Sequence, residues 1–216
     1  MTEDAELLRR YADEKSEAAF AALVERHLAL VYHAALRQCS DSRRAEEVAQ
    51  TVFTDLARKA AALGGRKDLT GWLHQSTRYA VLRAARAERR RVAREQKAYA
   101  MNQNTNDSPG DEAWARVRPF IDEALHSLGQ RDRLAVLWRF FEGRTLAEVA
   151  EKLAVSEDAA RMRVDRALNK LQGRLSRQGV TSTSAALALA LGSQAMGAAP
   201  AGLGASIAGG KKSIDR

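Results

Sequence analysis

Apolar residues fall on a helical repeat through most of the chain. Phe20, Leu23, Val24, His27, Leu28, Val31 and Ala35 recur at i, i+3, i+4 and i+7, the spacing of one apolar face on an amphipathic helix. Asp41-Ser-Arg-Arg interrupts that stripe, and Asp41 has the short acceptor side chain of a helix N-cap. Ala45, Val48, Ala49, Val52, Phe53 and Leu56 form the next stripe, with Glu46, Glu47, Gln50 and Asp55 outside it. Gly64-Gly65 breaks the run. A third helix is predicted from near Thr70, through Trp72, Leu73, Thr77, Ala80, Val81 and Ala84, into the Arg89-Arg90-Arg91 run.

Over residues 98–112, AYAMNQNTNDSPGDE, Asn, Gln, Ser, Pro and Gly replace the periodic apolar residues. This composition predicts a flexible linker between two helical domains. Beyond it, Val117, Ile121, Ala124, Leu125 and Leu128 predict a helix closed by Gly129. Leu134, Val136, Leu137, Phe140 and Phe141 predict another, closed by Gly143. Thr145-Leu-Ala-Glu148 fits a capping box, in which the Thr hydroxyl and the Glu carboxylate each satisfy a backbone amide of the first turn. The short helix that follows carries Leu146, Val149 and Leu153. Ser156 then caps a long helix with Glu157 and Asp158 in its first turn, where acids suit the helix dipole. Ala160, Val164, Ala167, Leu168, Leu171 and Leu175 are its apolar face, and Arg161, Arg163, Arg166, Lys170 and Arg174 occupy the others. From about residue 177 the chain turns Ala-, Gly- and Ser-rich, which predicts a disordered tail or a weak helix that needs a partner.

A short helix, a turn at Leu153–Val155 and a capped basic helix make a helix-turn-helix plan. Such a unit lays its second helix in the DNA major groove with the N-terminal side chains against base edges. Ser156, Glu157, Asp158 and Arg161 then meet bases, while Arg163, Arg166 and Lys170 lie nearer the phosphates. The two acids lower non-specific affinity, yet each can accept a hydrogen bond from cytosine N4. Periodicity alone also fits an amphipathic helical hairpin that shows solvent a basic face.

Charge narrows the choice of partner. The 216 residues carry 35 Lys and Arg against 27 Asp and Glu, a net +8, which favours nucleic acid or an anionic membrane surface. The charge is uneven: residues 1–57 carry 7 basic and 11 acidic side chains, whereas residues 58–97 carry 12 and 3. Three prolines and abundant Ala, Leu, Arg and Glu favour an all-α fold. The single cysteine, Cys39, excludes an intramolecular disulfide, and four histidines without ligand spacing give no metal site; no cofactor is expected. His27, on an apolar face, is expected to be core. No nucleophile–base pair or phosphate loop is visible, so the chain does not read as an enzyme. The acidic N-terminus lacks the apolar core of a secretory signal and no run of about eighteen apolar residues occurs, so a cytoplasmic location is expected and a membrane role is not.

Taken in order, these segments resemble an alternative sigma factor of bacterial RNA polymerase, in the extracytoplasmic function (ECF) group of the sigma-70 family. The resemblance covers about residues 5–176. RAEEVAQTVFTDLAR (44–58) is similar to the family pattern D-A-E-D-L-x-Q-E-V-F, with Ala45, Glu46, Val48, Gln50, Val52 and Phe53 in register. GWLHQSTRYAVLRAARAERRR (71–91) resembles the helix that reads the −10 promoter element, with Trp72, Leu73 and Arg78 matching. Residues 124–171 resemble region 4, which binds the −35 element, with Ser156, Arg163, Arg166, Ala167 and Leu171 in register and Arg161 at a Lys position. Tyr79 and Arg83 replace a usual Asn and Asp, Ala154 a usual turn Gly, and Ala159 and Ala160 a usual Thr and Val. These departures bear on promoter sequence more than on class. If the turn needs positive φ, Ala154 costs roughly 1 kcal/mol.

The resemblance implies sigma region 2 at 5–97, a linker at 98–112, region 4 at 113–176 and a tail at 177–216. It implies docking to core polymerase, on the β′ coiled coil and the β flap, with Glu46, Glu47, Gln50 and Phe53 on the first of these; the competing reading is that Phe53 is core and the acids are merely solvated. It implies −10 capture by Arg66, Lys67, Arg78, Tyr79, Arg83, Arg86 and Arg90, with a flipped base held by the loop at about Ala60–Leu69. Trp72 could stack there but is expected to be core. It implies −35 contact by Ser156, Glu157, Asp158, Arg161, Arg163, Arg166 and Lys170, and an anti-sigma factor as a candidate partner. A helix-turn-helix regulator that binds duplex DNA without polymerase is the alternative reading, and a helical adaptor without a DNA role is a third.

Overall fold

The computed structural model describes residues 3–64, 68–96, 120–180, 182–195 and 199–209, without the side chains of 89–96 and 193–195. The linker, residues 113–119 of the second domain, Arg66, Lys67 and the Arg90 side chain lie outside the described residues. Among the described residues every regular element is helical, as the apolar periodicity predicts.

The first domain is built from α1 (Glu3–Glu14), α2 (Glu17–Cys39), α3 (Ser42–Arg58), the short α4 (Ala60–Leu63) and α5 (Thr70–Gln96). Ser16 caps α2 by accepting from the Ala19 amide, and Asp41 caps α3 by accepting from the Arg44 amide. Between them Ser40 takes the left-handed conformation, φ 54°, and its N–H donates to Leu36 O, turning the chain back so that α3 packs on α2. Phe20, Leu23, Val31, Phe53, Leu56 and Leu73 are buried where α2, α3 and α5 meet. Helix α1 adds Leu8 and Tyr11, whose ring lies 4.8 Å from that of Phe20. His27 is buried as expected, but it is not apolar packing alone: its Nε2 lies 3.1 Å from the Asp4 carboxylate, which also accepts from Arg26 at 2.8 Å. Burial pushes the Asp4 carboxyl up, but hydrogen bonds from His27 and Arg26 outweigh it and hold the group well below the usual carboxylate range.

The second domain comprises α6 (residues 120–126), α7 (Gln130–Val136) running into a π-helical turn (Leu137–Phe141), α8 (Leu146–Leu153) and α9 (Glu157–Arg177). The π turn is closed by Glu142 N–H donating to Leu137 O at 3.0 Å, and Gly143 follows at φ 67°. Thr145 and Glu148 form the predicted capping box. Ala154 sits at φ 54°, ψ 51°, the left-handed position that costs a non-glycine residue about 1 kcal/mol. Ser156 then caps α9 by accepting from the Ala159 amide. Val164, Ala167, Leu171 and Leu175 bury one face of α9.

Of the two expectations for the tail, disorder or a weak helix that needs a partner, the described residues fit the second: Ser184–Ala195 form α10 and Leu203–Gly209 form α11. Neither helix has an amphipathic pattern strong enough to announce itself; their order comes from neighbours. Helix α10 packs against α9, the π turn and α2, and α11 packs against α2 and α3, burying Leu187, Leu191 and Ile207. Among the described residues no helix is long and apolar enough to cross a membrane.

The two domains also meet directly. Arg37 of α2 makes a two-pronged pair with Asp122 of α6, Nε to Oδ2 at 2.8 Å and Nη2 to Oδ1 at 2.9 Å, and its guanidinium lies 4.7 Å over the Phe141 ring. His74 of α5 lies 3.1 Å from the same carboxylate. All three groups are buried.

Candidate nucleic-acid interfaces

Helix α5 presents one outward stripe. Tyr79, Leu82, Arg83 and Arg86 recur at i, i+3, i+4 and i+7, opposite the buried Leu73, Thr77, Ala80 and Val81, and all four are exposed. Tyr79 is 57% exposed, large for an aromatic ring. Gln75 donates to its hydroxyl at 3.3 Å. Arg83 makes a long contact, 3.4 Å, with Asp55. The structure therefore brings Tyr79, Arg83 and Arg86 together, with Leu82 beside them, a residue the sequence reading did not single out. Arg78 is half-buried and stands one position off the stripe. Trp72 is also half-buried, with the Lys59 ammonium 5.9 Å from its ring centre. A ring and cations in one row can stack on an unpaired base and neutralise the phosphates that flank it.

Helix α9 sorts its cations into two groups. Arg163 donates to Asp132 at 3.0 Å and Lys170 to the same carboxylate at 2.6 Å, while Arg174 donates to Ser127 O at 3.2 Å. These residues tie α9 to α7 and to the end of α6. Burial pushes the Asp132 carboxyl up, yet Lys170 and Arg163 together hold it below its ordinary value. Asp158, Arg161, Met162, Asp165 and Arg166 face outward at i, i+3, i+4, i+7 and i+8. Arg161 lies 3.7 Å from Glu157, and Arg166 Nε donates to Met162 O at 3.1 Å. Met162 is 60% exposed, and neither it nor Asp165 was expected as a site residue. The signal was present in the spacing from Asp158, but a lone methionine or aspartate among arginines draws no notice.

Helix α3 turns Glu47 and Gln50 outward, with Glu46 half-buried beside them. Phe53 does not join them. It is fully buried in the first domain, so the expectation that it faces a partner is corrected. In a stripe that closes a small core, an aromatic ring gains more from burial than from solvent. Among the described residues no group of three His, Cys, Asp or Glu side chains is placed to hold a metal ion.

The helix-turn-helix thus follows a first domain whose last helix carries a row of cations and one aromatic ring. A Sigma-70 region 2 family model matches residues 23–91, and a Sigma-70, region 4 model matches residues 124–173. Together they account for more than half of the chain. The chain is also similar to the ECF RNA polymerase sigma factor SigL of Mycobacterium tuberculosis in strains Erdman, CDC 1551 and H37Rv. In each case it is 26% identical over 163 residues, which cover 74% of this chain and 90% of the relative. The chain belongs to the ECF group of the sigma-70 family and is an alternative RNA polymerase sigma factor.

Proposed function

We propose that this sigma factor docks on the β′ coiled coil of core polymerase through the outward face of α3, at Glu46, Glu47 and Gln50. It then captures the unpaired −10 strand on the α5 stripe of Tyr79, Arg83 and Arg86, with Arg78, Arg66, Lys67 and Arg90 completing the basic surface. Its −35 reader is the outward stripe of α9. There Asp158 and Arg161 address base edges with Ser156 and Glu157 at the capped end, Met162 offers an apolar contact to a thymine methyl, and Arg166 meets phosphate. Arg163 stiffens α9 from below through Asp132, and Lys170 lies at the phosphate-side edge. Region 4 contacts the β flap. The protein acts in the cytoplasm and contributes no bond-making chemistry of its own; it supplies specificity to the polymerase.

The observation that carries this reading is the α9 stripe. A serine-capped helix faces its core with Val164, Ala167 and Leu171 and faces outward with acceptors, cations and one apolar side chain. Run-off transcription with core polymerase on a genomic promoter library tests it. Initiation should come from a restricted promoter set, and Arg161→Ala should change which −35 sequences are used. Failure to co-elute with core polymerase on gel filtration overturns the reading.

A further inference from the structure

Two cations where the domains meet have no counter-charge. Gly71, His74 and Arg78 recur at i, i+3 and i+7 on α5 and meet the second domain in turn. Gly71 meets α7: a Cβ there would sit 3.0 Å from Leu134 Cδ2. His74 meets α6 at Asp122, 3.1 Å away. One turn further along both helices stand Arg78 and His126, each at i+4 from its predecessor. Arg133 of α7 completes the group, and its Nη1 donates to His126 O at 3.0 Å.

Among the described residues Arg78 makes no hydrogen bond or ion pair, and Arg133 has no carboxylate partner. The acids nearby are engaged elsewhere: Asp122 by Arg37 and His74, Asp132 by Arg163 and Lys170, Glu142 by Thr70 and Arg144. Arg78 and Arg133 are both half-buried. Burial pushes the Arg133 guanidinium below its ordinary value, and no acid pulls it back up. His126 Nδ1 is buried and has no hydrogen-bond partner. Burial, reinforced by Arg78, Arg133 and His74, also holds the His126 imidazole below its ordinary value. Two guanidiniums that have given up water and repel each other carry a cost that a bound anion offsets.

We propose that Arg78, Arg133 and His126 form an anion site between the domains, which takes the phosphoryl group of a soluble phosphate monoester or of inorganic phosphate. Each guanidinium offers a planar fork of N–H donors that matches phosphoryl oxygens, and His126 Nδ1 supplies a third hydrogen bond as its N–H tautomer. Charge separates the two sources of phosphate. A monoester or free phosphate carries about two negative charges at neutral pH and balances both guanidiniums, whereas each linkage of a nucleic-acid backbone carries one. The site goes beyond the promoter-reading surfaces proposed above and shares only Arg78 with them. Because α5 supplies one guanidinium and α6 and α7 the other groups, an occupied site ties the first domain to the second.

The test uses the full-length chain and inorganic phosphate. Thermal unfolding is followed by circular dichroism in about 10 mM phosphate and in chloride of equal ionic strength. Wild type is compared with Arg133→Gln, Arg78→Gln and, as an exposed control on α1, Arg9→Gln. Phosphate should raise the wild-type and Arg9→Gln midpoints by about 3 °C over chloride, and the rise should fall below about 1 °C in Arg133→Gln and in Arg78→Gln. Arg133→Gln should still bind a fluorescent single-stranded DNA of about 12 nucleotides with wild-type affinity. A wild-type midpoint that responds equally to phosphate and chloride overturns the site, as does an undiminished rise in either variant. Loss of oligonucleotide affinity in Arg133→Gln, in step with its loss of phosphate, overturns the soluble source and assigns the site to a backbone phosphate.

Discussion

Replacing Asp122 by Asn isolates the contact that joins the two domains. The Asp122 carboxylate accepts two hydrogen bonds from Arg37 and one from His74, and it is 2% exposed while Arg37 is 5% exposed. Burial alone would raise its pKa. The charge of Arg37 and the hydrogen bonds of His74 and Arg37 outweigh burial and bring it down from 3.8 to about 2. A lowered folded pKa means that the stabilisation is complete above the unfolded value of 3.8 and is lost as pH falls through about 2. The shift corresponds to about 2 kcal/mol. Asn keeps the shape but leaves a buried guanidinium without a counter-charge, a loss of about 3–5 kcal/mol when the site stays closed. If the domains part, Arg37 regains water, so the loss is capped by the free energy that holds the domains together. Urea unfolding at pH 7 measures it. The double substitution Arg37→Met with Asp122→Leu removes both charges and should recover all but about 1–2 kcal/mol, the cost of leaving His74 without its partner. A loss below about 1 kcal/mol in Asp122→Asn, with small-angle scattering showing the domains still joined, would refute the reasoning, because a dry, paired carboxylate cannot be neutralised so cheaply.

Ala154→Gly should stabilise the chain by about 1 kcal/mol in thermal or urea unfolding, since glycine relieves the left-handed turn between α8 and α9. Thr145→Ala should cost about 1 kcal/mol in the same assay by removing one half of the α8 capping box. Arg166→Ala should weaken −35 duplex binding by holoenzyme for all sequences alike and reduce the slope of log affinity against log salt by about 1, the signature of one lost phosphate contact. Replacing −35 thymines one at a time by deoxyuridine should weaken wild-type binding at one position and leave Met162→Ala indifferent there; equal response of both proteins excludes the methyl contact.

The sequence alone settled the elements and the class. Stripes of apolar residues at helical spacing, Asp41, Thr145 and Ser156 as caps, and the Ser156-to-Leu171 pattern are local signals. They set backbone geometry over one or two turns, which is why α3, α8 and α9 fall where the spacing puts them. The helix-turn-helix and its positive-φ alanine were legible for the same reason. Which side chains are available was not. Phe53 and Gln50 are three residues apart on α3, yet one is in the core and the other in solvent. Arg163 and Arg166 look alike in the chain, but only Arg163 has Asp132 across from it, a pairing 31 residues away. The Arg37, His74 and Asp122 cluster joins residues 48 and 85 positions apart, and no spacing rule foreshadows it. The tail shows the same division most clearly. Its composition has too few large apolar residues to fold alone, so the sequence leaves open disorder or a weak helix that needs a partner. Helices α10 and α11 form because α2, α3, α9 and the π turn supply the apolar surface they lack, and only the assembled fold brings those four surfaces together.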